Sequence, residues 1–166
     1  MKKFHPYFLL IFCSLSLSCK SFYENKEKKF NSDISNWDTS SVTMMNSMFC
    51  YAASFNQPVG DWNTSNVTNM YFTFASAYAF NQYIGNWDVS SVTNMGGMFD
   101  GARDYNQDMT KWCVSQFSSE PSGFSLNNSI SNSNKPIWGT CPAPIVFENG
   151  TCKCPCLLYT SPSPRD

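Results

Sequence analysis

The chain has 166 residues, a formal net charge of −1, and a composition that is 42% hydrophobic, 16% aromatic and 14% charged, which fits one modest domain. Residues 30–113 hold seven Asp against Arg103 and Lys111, a balance of −5, so a basic footprint for nucleic acid is missing. The one histidine, His5, lies in the leader described next, and its removal excludes Ser-His-Asp, Cys-His and His-metal chemistry together.

The leader "MKKFHPYFLLIFCSLSLSCKSF" places Lys2 and Lys3 before an apolar run from Tyr7 to about Leu17. That run is too short to span a bilayer and has the shape of a secretory signal peptide over residues 1–18. Ser16-Leu17-Ser18-Cys19 resembles a relaxed bacterial lipobox, although a stricter box carries its large aliphatic residue one place earlier. The resemblance implies a lipid on Cys19 and thus an anchored chain, with plain secretion as the alternative. Residues 19–29, with the charged "KSFYENKEKK", read as a solvated tether.

From Phe30 the chain writes nearly one line three times: residues 30–54, 55–79 and 80–104, with a partial fourth from 105 to 111. Phe30, Phe55, Phe80 and Tyr105 share one column, and Asn31, Asn56, Asn81 and Asn106 the next. Ile34, Val59, Ile84 and Met109 form an aliphatic column, and Trp37, Trp62, Trp87 and Trp112 an indole column. Further columns run through Met45, Met70 and Met95, then Phe49, Phe74 and Phe99, with no insertion breaking the period of 25. A fixed period of this size predicts a repeat array, and the aromatic load favours a solenoid. A single unit cannot bury a tryptophan and two phenylalanines, whereas stacked coils turn each column into a ladder through the core. Stacked asparagines can bond along such a ladder, because an amide carries both donors and acceptors.

Within a coil, "SVTNM" predicts a short strand or extended corner. Met95, Met98, Phe99 and Ala102 recur at spacings of three and four, which predicts a short helix of one to two turns. "FNQYIGNWD" predicts a second extended segment, with Gly60 and Gly85 in equivalent turns. The expected fold class is therefore an α/β repeat solenoid.

The pattern F-N-Q-x-I-x-x-W-D-x-S-S-V-T-N-M-x-x-M-F-x-x-A resembles the repeats of BspA-type leucine-rich-repeat surface proteins of bacteria. The likeness is strong over residues 30–117, and residues 112–142 look like the closing unit that follows such arrays. It implies a right-handed, leucine-rich-repeat-like coil of short strands and short helices, export to the cell surface, and binding or adhesion to a host, matrix or cell-surface protein or glycan. The sequence departs from the pattern in its scarce leucine, in Thr73 where Met48 and Met98 stand in the sister repeats, and in the small number of coils.

Of eight cysteines, Cys13 lies in the leader and Cys156 in the tail. Cys113 and Cys141 both fall within the closing unit and are expected to be joined, sealing the open end of the array. Cys50 stands where Ala75 and Asp100 stand in the sister repeats and is no repeat feature. Cys152 and Cys154 form C-x-C without the further ligands that zinc needs, in a trailing segment, residues 143–155, that reads as truncated. "CLLYTSPSPRD", residues 156–166, resembles a translated sequencing adapter residue for residue and is excluded from fold reasoning.

No catalytic, cofactor or metal residue is assigned. Gly96-Gly97 lacks the lysine and spacing of a phosphate loop. The carboxylates Asp33, Asp38, Asp61, Asp88, Asp100, Asp104, Asp108 and Glu120 mostly follow turn positions, where Asp bonds its own backbone. Asp38, Asn63 and Asp88 share a column, but no glycine-rich calcium motif accompanies them. The expectation is a non-catalytic surface-binding or adhesion protein, outer-membrane-anchored or secreted, that meets a membrane only through its lipid. Its candidate ligand-binding residues are Thr43, Thr68, Thr93, Asn69 and Asn94, identical groups at regular spacing. The alternative is a structural spacer in a longer secreted protein.

Overall fold

The computed structural model describes residues 30–142 together with 146–148 and 151–153. The expected signal peptide, Cys19, the tether, Cys154 and the adapter-like tail lie outside the described residues. β1 (Val146–Glu148) pairs antiparallel with β2 (Thr151–Lys153), Phe147 opposite Cys152. A 3₁₀ turn, Asn132–Asn134, is capped by the Ser131 hydroxyl.

In the repeats, residues 25 apart lie beside one another. Met44 bridges Asn69, and Asn69 bridges Asn94, each in parallel. Thr68 N–H donates to the Thr43 carbonyl and Thr93 N–H to that of Thr68, both at 2.8 Å. Met45 N–H reaches Asn69 O and Met70 N–H reaches Asn94 O, also at 2.8 Å. The extended segment expected at "SVTNM" thus contracts to one bridge per coil.

The stripe from Met95 to Ala102 differs from expectation: it is a run of overlapping turns and not a helix. Alternate N–H groups leave the coil. Phe72, Phe74 and Ser76 donate to the carbonyls of Gly96, Met98 and Asp100 in the next coil, at 2.7–3.0 Å. The N–H groups between them close turns on their own coil, as Thr73 does onto Met70 and Ala75 onto Phe72, both at 3.3 Å. The backbone achieves this by entering the left-handed region every fourth residue: Ser47 and Tyr51, Phe72 and Ser76, Gly97 and Gly101, then Gly123 and Asn127. A right-handed helix cannot pass through those positions. The apolar spacing of three and four survives because each two-step turn still points the same residues inward.

The columns become the core. Phe30, Phe55, Phe80 and Tyr105 stack with ring centroids 5.5–5.9 Å apart. Phe49, Phe74 and Phe99 make a parallel stack at 5.4 and 5.6 Å, and the two stacks touch at Phe74 and Phe80, 3.9 Å apart. Nearly all of these rings are fully buried, each stabilising the fold by about 1.5–3 kcal/mol through area removed from water. The indoles also solve a polar problem: Nε1 of Trp62, Trp87 and Trp112 donates to the carbonyl of Ile34, Val59 and Ile84 in the coil before. Thr73 replaces methionine at a fully buried place, and its hydroxyl bonds the carbonyls of Met45 and Met70 at 3.0 and 2.8 Å.

The asparagine column runs along the surface as a relay. The side-chain oxygen of Asn31 accepts from the backbone N–H of Asn56 and from Gln57 Nε2, at 2.9 and 3.0 Å. Asn56 does the same for Asn81 and Gln82, Asn81 for Asn106 and Gln107, and Asn106 for Ser131 and Asn134. At Gly60 and Gly85 the next coil comes too close for a side chain. A Cβ on Gly85 would lie 2.5 Å from the Asp108 carbonyl oxygen, and one on Gly60 would meet that of Tyr83.

The closing unit changes the step. The left-handed position after Gly97 is Gly123, 26 residues on, so one residue has been inserted. That places Phe124 at the step of Met98, and it meets Phe99 edge-on at 84° and not in a stack. Trp138 packs edge-on against both Phe124 and Phe117, which ends the parallel stacking. The sulfurs of Cys113 and Cys141 lie at bonding distance, tying together two points 28 residues apart.

Candidate ligand-binding face

Thr43, Thr68 and Thr93 stand exposed in a row. The Thr68 hydroxyl donates to the Thr43 carbonyl and the Thr93 hydroxyl to that of Thr68, both at 3.1 Å, so each keeps lone pairs free to accept. The next position holds Met44, Asn69 and Asn94. The side-chain oxygen of Asn69 accepts from Tyr71 N–H at 2.9 Å and that of Asn94 from Gly96 N–H at 3.1 Å. These Asx turns fix the side chains and leave Nδ2 as the remaining donor. Met44 interrupts the polar column with a thioether side chain that is 52% exposed. The five predicted residues therefore sit on one face, which runs from polar at the third coil to apolar at the first.

Beside Thr93 and Asn94 the face opens into a cleft of about 460 Å³. It arises from a departure within the repeat. Asn46-Ser47 and Tyr71-Phe72 occupy two successive positions that Gly96-Gly97 leave without side chains. Tyr71 leans over Gly96, where a Cβ would sit 3.2 Å from its ring, and Phe72 covers Gly97. Gly123 continues the bare floor, its Cβ direction 3.6 Å from the Gly97 Cα. Gly97 and Gly123 are also left-handed, at φ 62° and 69°. The far wall belongs to the closing unit, at Phe117, Pro121 and Ser122.

Among the described residues, Asp100 is the only charged side chain lining the cleft, and it receives a long contact, 3.5 Å, from Asn127 Nδ2. Four of the repeat carboxylates, Asp33, Asp38, Asp88 and Asp108, cap turns. Asp38, Asp88 and Asp108 each accept the N–H and the hydroxyl of the residue two ahead, at 2.6–3.0 Å, as Asn63 does with Ser65. The hydrogen bonds from Thr110 hold the Asp108 carboxyl below its ordinary pKa, and those from Ser35 do the same for Asp33. Among the described residues, no group of three His, Cys, Asp or Glu is placed to hold a metal ion. Glu120 is bound by Lys135 at 3.0 and 3.1 Å and by the Ser125 hydroxyl, and so braces the closing unit.

Sequence reasoning named Thr93 and Asn94 but missed Tyr71, Phe72, Asp100 and Ser122 in the cleft. The available signal was the break in the column: aromatic residues in one repeat followed by glycines in the next.

A comparison with curated proteins finds no match, and one with solved structures finds none. The family described as Mycoplasma protein of unknown function, DUF285, matches residues 17–138, spanning the whole array and most of the closing unit. The chain belongs to the DUF285 family.

Proposed function

We propose that this chain is a BspA-type surface protein, a right-handed leucine-rich-repeat-like solenoid that binds a host, matrix or cell-surface protein or glycan without catalysis. The observation that carries the reading is the exposed threonine row, held in register by paired backbone and hydroxyl bonds from Thr68 to Thr43 and from Thr93 to Thr68. Identical groups at a fixed spacing suit an extended or repetitive ligand. Export and a lipid on Cys19 would put that face outside the cell. The acidic balance of the array favours neutral or basic partners over polyanions.

The test is binding of the exported chain to arrays of glycans and matrix proteins, with the triple variant Thr43→Val, Thr68→Val, Thr93→Val alongside. Binding that falls in the variant supports this face. Unchanged binding removes it, and an absence of binding to every arrayed component returns the chain to the spacer reading.

A further inference from the structure

We infer that the cleft between the third coil and the closing unit takes one neutral hexopyranose unit of a glycan, a reading that rests on the proposed binding face and names the chemistry of one site on it. The argument begins with the walls. Tyr71 is 42% exposed and its ring is braced by Phe72, with centroids 4.2 Å apart, so it presents a fixed aromatic surface, seated on Gly96 while the Phe72 ring is seated on Gly97. The C–H face of a pyranose is apolar with a slight positive edge, and it packs on the electron-rich face of such a ring.

The rim supplies what hydroxyls need. Asn94 keeps an amide donor, Thr93 keeps acceptor lone pairs, Asp100 is an acceptor, and Ser122 is both. An apolar ligand would strip water from these groups and leave them unpaired, which costs affinity. An anionic ligand would meet Asp100, and no described residue lining the cleft is a cation to offset it. A neutral ring with hydroxyls on its edge satisfies both walls. At about 460 Å³ the cleft lies in the range of small-ligand sites, roughly 300–1,000 Å³, and toward its smaller end.

The test uses the full chain with methyl hexopyranosides of the gluco, galacto, manno and N-acetylglucosamine series, and sialyllactose as the anionic control. Saturation-transfer NMR reports which probe binds, and titration gives its affinity. The expected result is binding of at least one neutral probe through its ring C–H protons, weakened about tenfold by Tyr71→Ala and kept by Tyr71→Phe. Gly96→Asn, which restores the residue type found at Asn46, should fill the floor and weaken binding too. Unchanged spectra confirm that each variant is folded. Neutral binding that survives Tyr71→Ala and Gly96→Asn overturns the cleft, as does binding of sialyllactose alone. If the threonine-row variant abolishes binding of a matrix protein while no hexopyranoside binds, the face stands and the sugar site falls. If neither class of ligand binds, both fall.

Discussion

The indole Nε1 of Trp87 donates to the carbonyl of Val59 at 2.9 Å, from the centre of one coil to the wall of the coil before it. Trp87 is buried, so this bond both satisfies the indole and clamps two coils. Trp87→Phe should cost about 2–4 kcal/mol, combining the lost volume with the lost bond between coils, while the Val59 carbonyl keeps the Trp62 N–H as its partner. Urea denaturation monitored by far-UV circular dichroism measures it. A loss below about 1 kcal/mol would mean that the indole ladder does not hold the coils together.

Tyr105 closes a column of phenylalanines, and its phenol is buried with no hydrogen-bond partner among the described residues. Tyr105→Phe should therefore stabilise the chain by about 1 kcal/mol. Burial, with smaller contributions from Tyr83 and Asp108, raises the phenol well above its ordinary pKa of 10.0. The folded protein thus keeps a proton that the unfolded chain releases. The stability linked to this group is complete below pH about 10 and declines as pH climbs from there through the folded pKa. The variant should show a shallower alkaline loss than the parent, and equal slopes would count against the assignment.

Ser76 and Gly101 hold the same left-handed position in successive coils, at φ 57° and 68°. A side chain there is strained, so Ser76→Gly should gain about 0.5–1 kcal/mol and Gly101→Ala should lose about 1 kcal/mol. Thermal melts of the two variants should move in opposite directions.

Gly85 faces a different constraint, because its missing Cβ makes room for the Asp108 carbonyl and the Tyr83 ring. Gly85→Ala should cost about 1–3 kcal/mol through overpacking, with the backbone carbonyl unable to retreat. Gly60→Ala should behave alike, and amide hydrogen exchange should rise first between the coils on either side. Protection unchanged at Trp87 and Asn106 would contradict it.

Reduction of the Cys113–Cys141 link is expected to remove about 3.6 kcal/mol, the chain-entropy value for a loop of this size. The loss should concentrate in the closing unit and leave the indole fluorescence of the first two coils little changed at moderate denaturant.

The stacking of like positions is legible in the residues because the period acts on burial directly. Trp62 and Trp87, or Phe55 and Phe80, can share a core only when like positions meet, and the count of 25 fixes which positions those are. The local conformation was harder to read. Apolar residues at spacings of three and four suggest a helix, but the left-handed turns at Ser47, Tyr51, Phe72 and Ser76 use residue types that give no warning of positive φ. Gly97, Gly101 and Gly123 hint at it. The cleft was hidden for a related reason: it is made by what Gly96 and Gly97 lack, and its wall depends on a one-residue insertion ahead of Gly123 whose effect becomes visible only when the coils are superposed.

The asparagine relay has a direction. Each side-chain oxygen looks forward to the next backbone N–H, from Asn31 to Ser131, and no member depends on a partner more than one rung away. Adding or deleting a whole unit of 25 would leave every such handshake intact. A gene built this way can be lengthened by unequal crossing-over between its own copies, so reach, and with it the number of exposed threonines, is a heritable setting that can drift without a new fold having to be found.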